Sequence, residues 1–186
     1  AMPYPNTAPQ SGVESSVSFS NETMLSFFGI ADYNYDNRYF VQATVREDGS
    51  SLFGAKNKWG LFWSASASWN ISNERWMENT KNWLSLLKIR ASYGLNGNNG
   101  IGPYQAYGVY ASSQYNNVVG MLPSRPANDY LSWEKNSTWN VGLDFGFFQN
   151  RIRGNFDVYE RTTLDMLLDV KVPQTTGFST NFMNAG

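Results

Sequence analysis

The sequence predicts an all-β fold of antiparallel up-and-down strands, and three observations carry that reading. Apolar and polar side chains alternate with period two over long runs. Aromatic residues make up 16% of the 186 residues and charged residues also 16%, where ordinary globular chains carry roughly 25% charged residues. The mean hydropathy is nonetheless −0.45, because Asn, Ser, Gly and Gln fill the remainder. The connections between the alternating runs are by turns short and long. Aromatic-rich, charge-poor and still hydrophilic is the mixture expected where one side of a strand meets lipid and the other meets water.

The first run places Leu25, Phe27, Gly29, Ala31, Tyr33 and Tyr35 on one face, opposite Ser26, Phe28, Ile30, Asp32 and Asn34. A tight turn at Asp36-Asn37 follows. Tyr39, Val41, Ala43 and Val45 then lie opposite Arg38, Phe40, Gln42, Thr44 and Arg46. The connection Glu47–Lys58 leads to the clearest run, Trp59–Ser72. Its apolar face is Trp59, Leu61, Trp63, Ala65, Ala67, Trp69 and Ile71; Phe62 is the one apolar residue on the other side. Extended, that run spans roughly 46 Å, long beside the usual soluble strand of about 5–6 residues. The segment from Asn73 to Leu84 is expected to hold one helical turn, with Ser72 or Asn73 as N-cap and Glu74 in the first turn.

A fourth run sets Leu87, Ile89, Ala91 and Tyr93 against Lys88, Arg90 and Ser92. A polar loop is expected over Asn96–Lys135. The fifth run sets Trp139, Val141, Leu143 and Phe145 against Thr138, Asn140, Gly142 and Asp144. A tight turn near Gln149-Asn150 leads to the sixth, with Ile152, Gly154, Phe156 and Val158 opposite Arg151, Arg153, Asn155, Asp157, Tyr159 and Arg161. The chain is then expected to end in a loop containing VPQTTGF. A one-residue slip in any run would move charges into the apolar row, so the facing is well specified.

No stretch supplies the ~20 apolar residues of a spanning helix, so a membrane role would be a β-barrel role. Ala1–Gln10 has neither the basic n-region nor the apolar h-region of a signal peptide. Short turns on one side and long loops on the other are the outer-membrane barrel pattern. Aromatics sit where such a barrel places its girdles: Tyr33, Tyr35, Tyr39, Trp69, Trp83, Phe145, Phe147 and Phe148 beside the short connections, Trp59 and Tyr93 towards the long loops. The other reading of such alternation is a soluble β-sandwich carbohydrate-binding module.

Chemistry is sparse. The chain has no His and no Cys, and a net charge of −1. That removes the usual general base, thiol nucleophiles, disulfides and zinc clusters, and argues against nucleic acid as a partner. No catalytic set, cofactor or metal site is expected. Arg46, Lys88, Arg90, Asp144, Arg153, Asp157 and Arg161 fall on polar rows and are expected to face a lumen. Tyr104, Tyr107, Tyr110, Tyr115 and Trp133, in the long loop, are the candidate contact residues for substrate or partner. The run GLNGNNGIG (94–102) lacks the GK[ST] ending of a phosphate loop and is read as a loop.

Five stretches carry a resemblance: YNYDNRYFVQATVREDGSSLFG (33–54), KWGLFWSASASWNISNERWM (58–77), WLSLLKIRASYGLNGNNGIGPY (83–104), WEKNSTWNVGLDFGFF (133–148) and NFDVYERTTLDMLLDVKVPQTTGF (155–178), with NAG at 184–186. In order and spacing they resemble the barrel of SusC/RagA-type TonB-dependent outer-membrane transporters of Bacteroidota. Trp63 stands where proline is expected and Ala67 where glycine is expected; neither disturbs the facing. The resemblance implies a barrel of about 22 strands around a plug. On it, residues 1–22 are a loop or the end of a preceding strand, and 23–186 a segment of about six strands with no plug domain. It implies a transporter rather than an enzyme, importing oligosaccharides or peptides. It further implies a SusD-like surface lipoprotein as partner, TonB engaged through a missing N-terminal part, and outer-membrane lipid around the wall. Short turns are then expected to be periplasmic and long loops extracellular.

Overall fold

The computed structural model describes residues 19–116 and 118–185, so most of the 1–22 segment, and Gly186, lie outside the described residues. Among the described residues ten strands follow in order: β1 Met24–Tyr35, β2 Tyr39–Ser50, β3 Trp59–Asn70, β4 Leu84–Asn98, β5 Val109–Tyr115, β6 Val118–Arg125, β7 Glu134–Phe147, β8 Ile152–Leu164, β9 Met166–Lys171 and β10 Thr180–Ala185. Six of them form one antiparallel sheet in the order β1-β2-β3-β4-β7-β8. The pairs β5–β6 and β9–β10 are separate two-stranded hairpins. A single meandering sheet replaces the two packed layers that a soluble sandwich would need, so that alternative is set aside. No helix among the described residues is long and apolar enough to cross a membrane.

The register carries one apolar and one largely polar face across all six strands. One row reads Tyr33–Val41–Ala67–Ala91–Val141–Val158, and the neighbouring row on the other face reads Asp32–Gln42–Ser66–Ser92–Asn140–Tyr159. Exposure is the reverse of the soluble rule. In β3, Leu61, Trp63, Ala65, Ala67 and Trp69 are exposed, while Ser64, Ser66 and Ser68 are half-buried. Val41, Val141 and Val158 are 49%, 47% and 46% exposed. In water each such side chain would forgo much of the ~1.5–3 kcal/mol that burial gives it.

Aromatic belts border the apolar face. Tyr35, Tyr39 and Trp69 line up beside the short turns, with ring centroids 6.4 and 6.2 Å apart. Phe27 stacks on Trp59 at the other end, 6.2 Å away. Between the belts the surface narrows to Ala43, Ala65, Ala67 and Ala91. From Trp59 to Trp69 the strand runs roughly 34 Å, or about 26 Å along the normal at a tilt near 40°, matching the apolar band of an outer-membrane barrel.

Both expected turns form. Asp36 and Asn37 each have φ 52°, the two left-handed positions of a tight hairpin that short polar side chains tolerate. The β7–β8 turn takes positive φ at Phe148, Gln149 and Asn150. The third connection folds as two 3₁₀ turns, Ile71–Asn73 and Arg75–Thr80, so the third strand stops at Asn70 rather than Ser72. Neither expected cap forms: Ser72 Oγ donates to Asn70 Oδ1 at 2.8 Å, and Asn73 Nδ2 donates to the Asn37 carbonyl at 2.9 Å. The polar loop Asn96–Lys135 is also corrected, since it contains β5–β6, and the terminal loop is the β9–β10 hairpin. Both hairpins escape the alternation pattern because their strands are short and carry mixed faces.

Two small clusters take the place of a central core. Leu52, Phe53, Phe62, Ile101, Ala106, Leu131 and Trp133 pack at the long-loop end; Ile71, Met77 and Leu84 pack at the short-turn end.

Candidate functional site

The long connections condense into a platform. Phe62 is the anchor. It points from the polar face of β3, and Trp133 packs on it with centroids 5.4 Å apart, nearly edge-on. Phe53 lies 4.8 Å from the same indole. Trp133 Nε1 donates to the Lys58 carbonyl at 3.1 Å. The platform therefore leans over the polar face of the sheet rather than standing clear of it. Gly97 is required under Phe62, because a Cβ there would run into the ring. Leu167 and Phe182 bring β9–β10 against the same cluster.

Asparagines lock the layers. Asn184 Oδ1 accepts from Ser132 N at 2.9 Å, and its Nδ2 donates to the Ser132 and Asp165 carbonyls at 2.9 and 2.8 Å. Asn128 Nδ2 donates to the Phe182 carbonyl at 2.9 Å. These bonds satisfy backbone groups that the packed loops would otherwise strand.

The candidate contact residues separate into three groups. Trp133 is 3% exposed and is a core residue, so it has no surface left to offer a ligand; the expectation for it is corrected. Tyr104 and Tyr107 stand together, with centroids 6.5 Å apart, on a turn closed by Tyr107 N donating to Tyr104 O at 3.2 Å. Buried Ala106 fastens that turn, and its carbonyl accepts from Asn128 N at 3.0 Å. The two rings line a hollow of about 290 Å³ with Pro103, Leu52, Ser51 and Asn21. Tyr110 is exposed on β5 and lines no part of that hollow. Tyr115 lies on β5 as backbone; its side chain is outside the described set. Sequence reasoning missed Tyr130, whose exposed ring lies 4.6 Å from Lys56 Nζ. No periodicity marks a loop residue of that kind.

The polar wall gathers three of the seven expected charges. Arg90 grips Asp144 with two bonds of 2.9 and 3.0 Å and reaches Asp157 at 3.0 Å. Asn155 Nδ2 donates to Asp157 at 2.8 Å. Arg46 Nε pairs with the fully buried Asp48 at 2.8 Å. Lys88 lies over the Phe40 ring, 5.2 Å from its centroid. Arg153 and Arg161 are exposed and join no ion pair among the described residues. No cluster of three or more potential metal ligands occurs among the described residues.

At the short-turn end, Glu74 is the second missed residue. Its carboxylate accepts from Tyr39 Oη at 2.8 Å, Trp69 Nε1 at 3.0 Å and Arg38 Nη1 at 3.2 Å. The Tyr39 and Trp69 donors, more than the Arg38 charge, hold its carboxyl below the ordinary carboxylate range. Arg38 also pairs with Asp36.

The whole chain, residues 1–186, matches the family model described as TonB dependent receptor-like, beta-barrel. The chain belongs to the TonB-dependent receptor β-barrel family. Among curated relatives it is 41% identical over 171 residues to the TonB-dependent receptor SusC of Bacteroides thetaiotaomicron, covering 86% of this chain and 17% of SusC. It is 37% identical over 172 residues to the TonB-dependent receptor P26 of Formosa agariphila, covering 90% of this chain and 17% of P26. Among solved structures it is similar to the RagAB peptide importer in the closed-closed state, with TM-score 0.80, 39% identity and coverage of 88% of this chain and 18% of that one. The open-open state gives TM-score 0.81 at 38% identity, covering 89% and 18%. The chain thus spans 16–17% of the length of the curated relatives it matches. These findings bear out the SusC/RagA-type resemblance and the all-β barrel fold. As a TonB-dependent receptor segment, the chain is an outer-membrane protein, and the reversed exposure of its sheet has its reason.

Proposed function

We propose that this chain supplies one stretch of wall, with its loops, to a SusC-like TonB-dependent importer, and carries no chemistry of its own. The observation that supports this reading is the exposed apolar face of six registered strands, sharpest in β3, where Leu61, Trp63, Ala65, Ala67 and Trp69 are exposed and Ser64, Ser66 and Ser68 half-buried. On it, the apolar rows meet outer-membrane lipid, and Arg46, Lys88, Arg90, Asp144, Arg153, Asp157 and Arg161 face the lumen. The turns at Asp36-Asn37 and Gln149-Asn150 are periplasmic, and the loop platform with β5–β6 is extracellular. TonB would act through a part of the full-length protein outside these residues. A SusD-like lipoprotein and an oligosaccharide or peptide cargo would meet the platform at Tyr104, Tyr107 and Tyr110, and on β5 at Tyr115. Similarity to the RagAB peptide importer supports the peptide class, and the oligosaccharide class follows from the SusC/RagA-type resemblance alone.

Sidedness is the direct test, and a chain without cysteine makes it clean. In the full-length transporter on intact cells, a membrane-impermeant thiol reagent labels Ser113→Cys and spares Asn150→Cys. The opposite labelling overturns the orientation.

A further inference from the structure

The third connection folds back over the apolar face. Leu87 and Phe147 belong to that face, yet they are half-buried where Ile89 and Val141, further along it, are exposed. Packed on them is the cluster of Ile71, Met77 and Leu84. Tyr39 and Trp69, on the same face, donate through Oη and Nε1 to Glu74 of the connection. A 3₁₀ helix turns once in three residues, so side chains at i, i+3 and i+6 stack in columns. The helix Arg75–Thr80 follows that rule. Its inward column is Glu74, Met77 and Thr80, the first two buried and the third half-buried. Its outward columns are Trp76 with Asn79, and Arg75 with Glu78 and Lys81, all exposed, Trp76 at 63%. Arg75, Glu78 and Lys81 join no ion pair among the described residues, not even with one another. Their column therefore offers free charges in the order positive, negative, positive, at steps of about 6 Å. It begins six residues past Trp69, the belt ring at this edge of the apolar band, which places it at headgroup depth.

We infer that this helix is a headgroup site for a phospholipid that carries both a phosphate and a primary ammonium. The inference rests on the wall-segment reading above, which sets lipid against the apolar face and this end in the periplasmic leaflet. Arg75 and Lys81 donate to phosphate oxygens, and Glu78 between them accepts from the ammonium. Trp76 beds its ring beside the glycerol and upper acyl chain, where an apolar body with a polar edge is most at home. Two observations choose this occupant. The helix is continuous with the lipid-facing belt, to which Glu74 and Met77 fasten it. Its outward charges alternate, so a purely anionic head would meet the Glu78 carboxylate as a like charge. A choline head would bring Glu78 no N–H donor. Only a head with both groups answers all three charges.

The test uses the full-length transporter in detergent. Phosphatidylethanolamine, phosphatidylglycerol or phosphatidylcholine is titrated in, and lipid-bound species are counted by native mass spectrometry. The unsubstituted protein retains phosphatidylethanolamine about ten-fold better than either other lipid. Glu78→Gln leaves the column purely positive and moves phosphatidylglycerol ahead of phosphatidylethanolamine, an inversion that a merely structural role would not produce. Arg75→Gln with Lys81→Gln weakens phosphatidylethanolamine retention about ten-fold. Folded barrel is measured alongside by its heat-modifiable mobility. If these variants lower it, Lys81→Gln alone carries the test, with retention down about three-fold. No preference among the lipids in the unsubstituted protein, an unchanged lipid order in Glu78→Gln, or unchanged retention in Lys81→Gln overturns the inference. Displacement of the lipid by inorganic phosphate would mark a free-anion site and overturn it too. Failure of the wall reading shows separately, as odd-numbered β3 positions open to a water-soluble collision agent.

Discussion

The sheet and the loop platform bury opposite things. In the sheet, Ala65 and Trp63 are exposed and Ser64 and Ser66 are half-buried. In the platform, Phe53, Leu131 and Trp133 are almost fully buried, and tyrosines stand at the surface. On the proposed reading one chain follows two rules because it meets two solvents: hydrocarbon along the apolar rows, water around the loops. Phe62 joins the two regimes. It belongs to β3 by position and to the platform by packing.

Substitutions that respect one rule and break the other sharpen this contrast. The largest expected effect is Trp133→Ala, which removes the ring shared by Phe53 and Phe62 and destabilises the platform by about 3–5 kcal/mol. Hydrogen exchange should accelerate through Leu52–Phe53 and Leu131–Trp133, while the β1–β4 amides stay protected. Uniform loss across the sheet would show that platform and wall are one cooperative unit.

Next comes the pair Ala65→Arg and Ser66→Arg. Arginine on the apolar row near the midplane costs roughly 2–4 kcal/mol. On the polar row its head meets water or polar groups, and the loss is smaller. The amount of folded, heat-modifiable barrel reads the difference, and equal losses would remove the assignment of faces.

The smallest effect is at Glu74. Its carboxyl is held below its ordinary value, so its contribution to stability is fully present above the unfolded pKa of about 4.3. That contribution is lost as pH falls through the lower folded value. Urea unfolding midpoints of the wild type and Glu74→Gln should lie apart at pH 7 and converge as the pH drops below 4.3. A constant gap down to the most acidic pH would mean that the three donors do not depend on the charge.

Much of the wall was legible because period two is a local signal, strict wherever the two faces of a strand meet different surroundings. Each of the six runs needs only its own residues to declare its faces, and the Asp36-Asn37 turn declares itself through side chains that tolerate positive φ. Phe62, the single apolar residue on the polar side of its run, was legible as an exception but not as an anchor. Its partner Trp133 lies 71 residues away, and only the folded loops bring them together. The same distance problem hid Trp133's burial and made it look like a contact residue. Glu74 read as a residue of a helical first turn because its three donors come from Arg38, Tyr39 and Trp69, on other strands or at a strand end. The β5–β6 hairpin was hidden by its own composition: β6, VVGMLPSR, is apolar on both faces and contains Pro123, so no alternation marks it.

The central claim is that the odd-numbered residues of β3 face lipid. Spin labels placed one at a time at Leu61 through Trp69 of the full-length transporter in bilayers test it directly. Collision rates with oxygen, which concentrates in hydrocarbon, and with a water-soluble nickel chelate are measured at each position. Oxygen access should peak at 61, 63, 65, 67 and 69 and fall at every position between, with the chelate excluded from the odd set. A flat profile, or one with the odd positions open to the chelate, would contradict a lipid-facing wall.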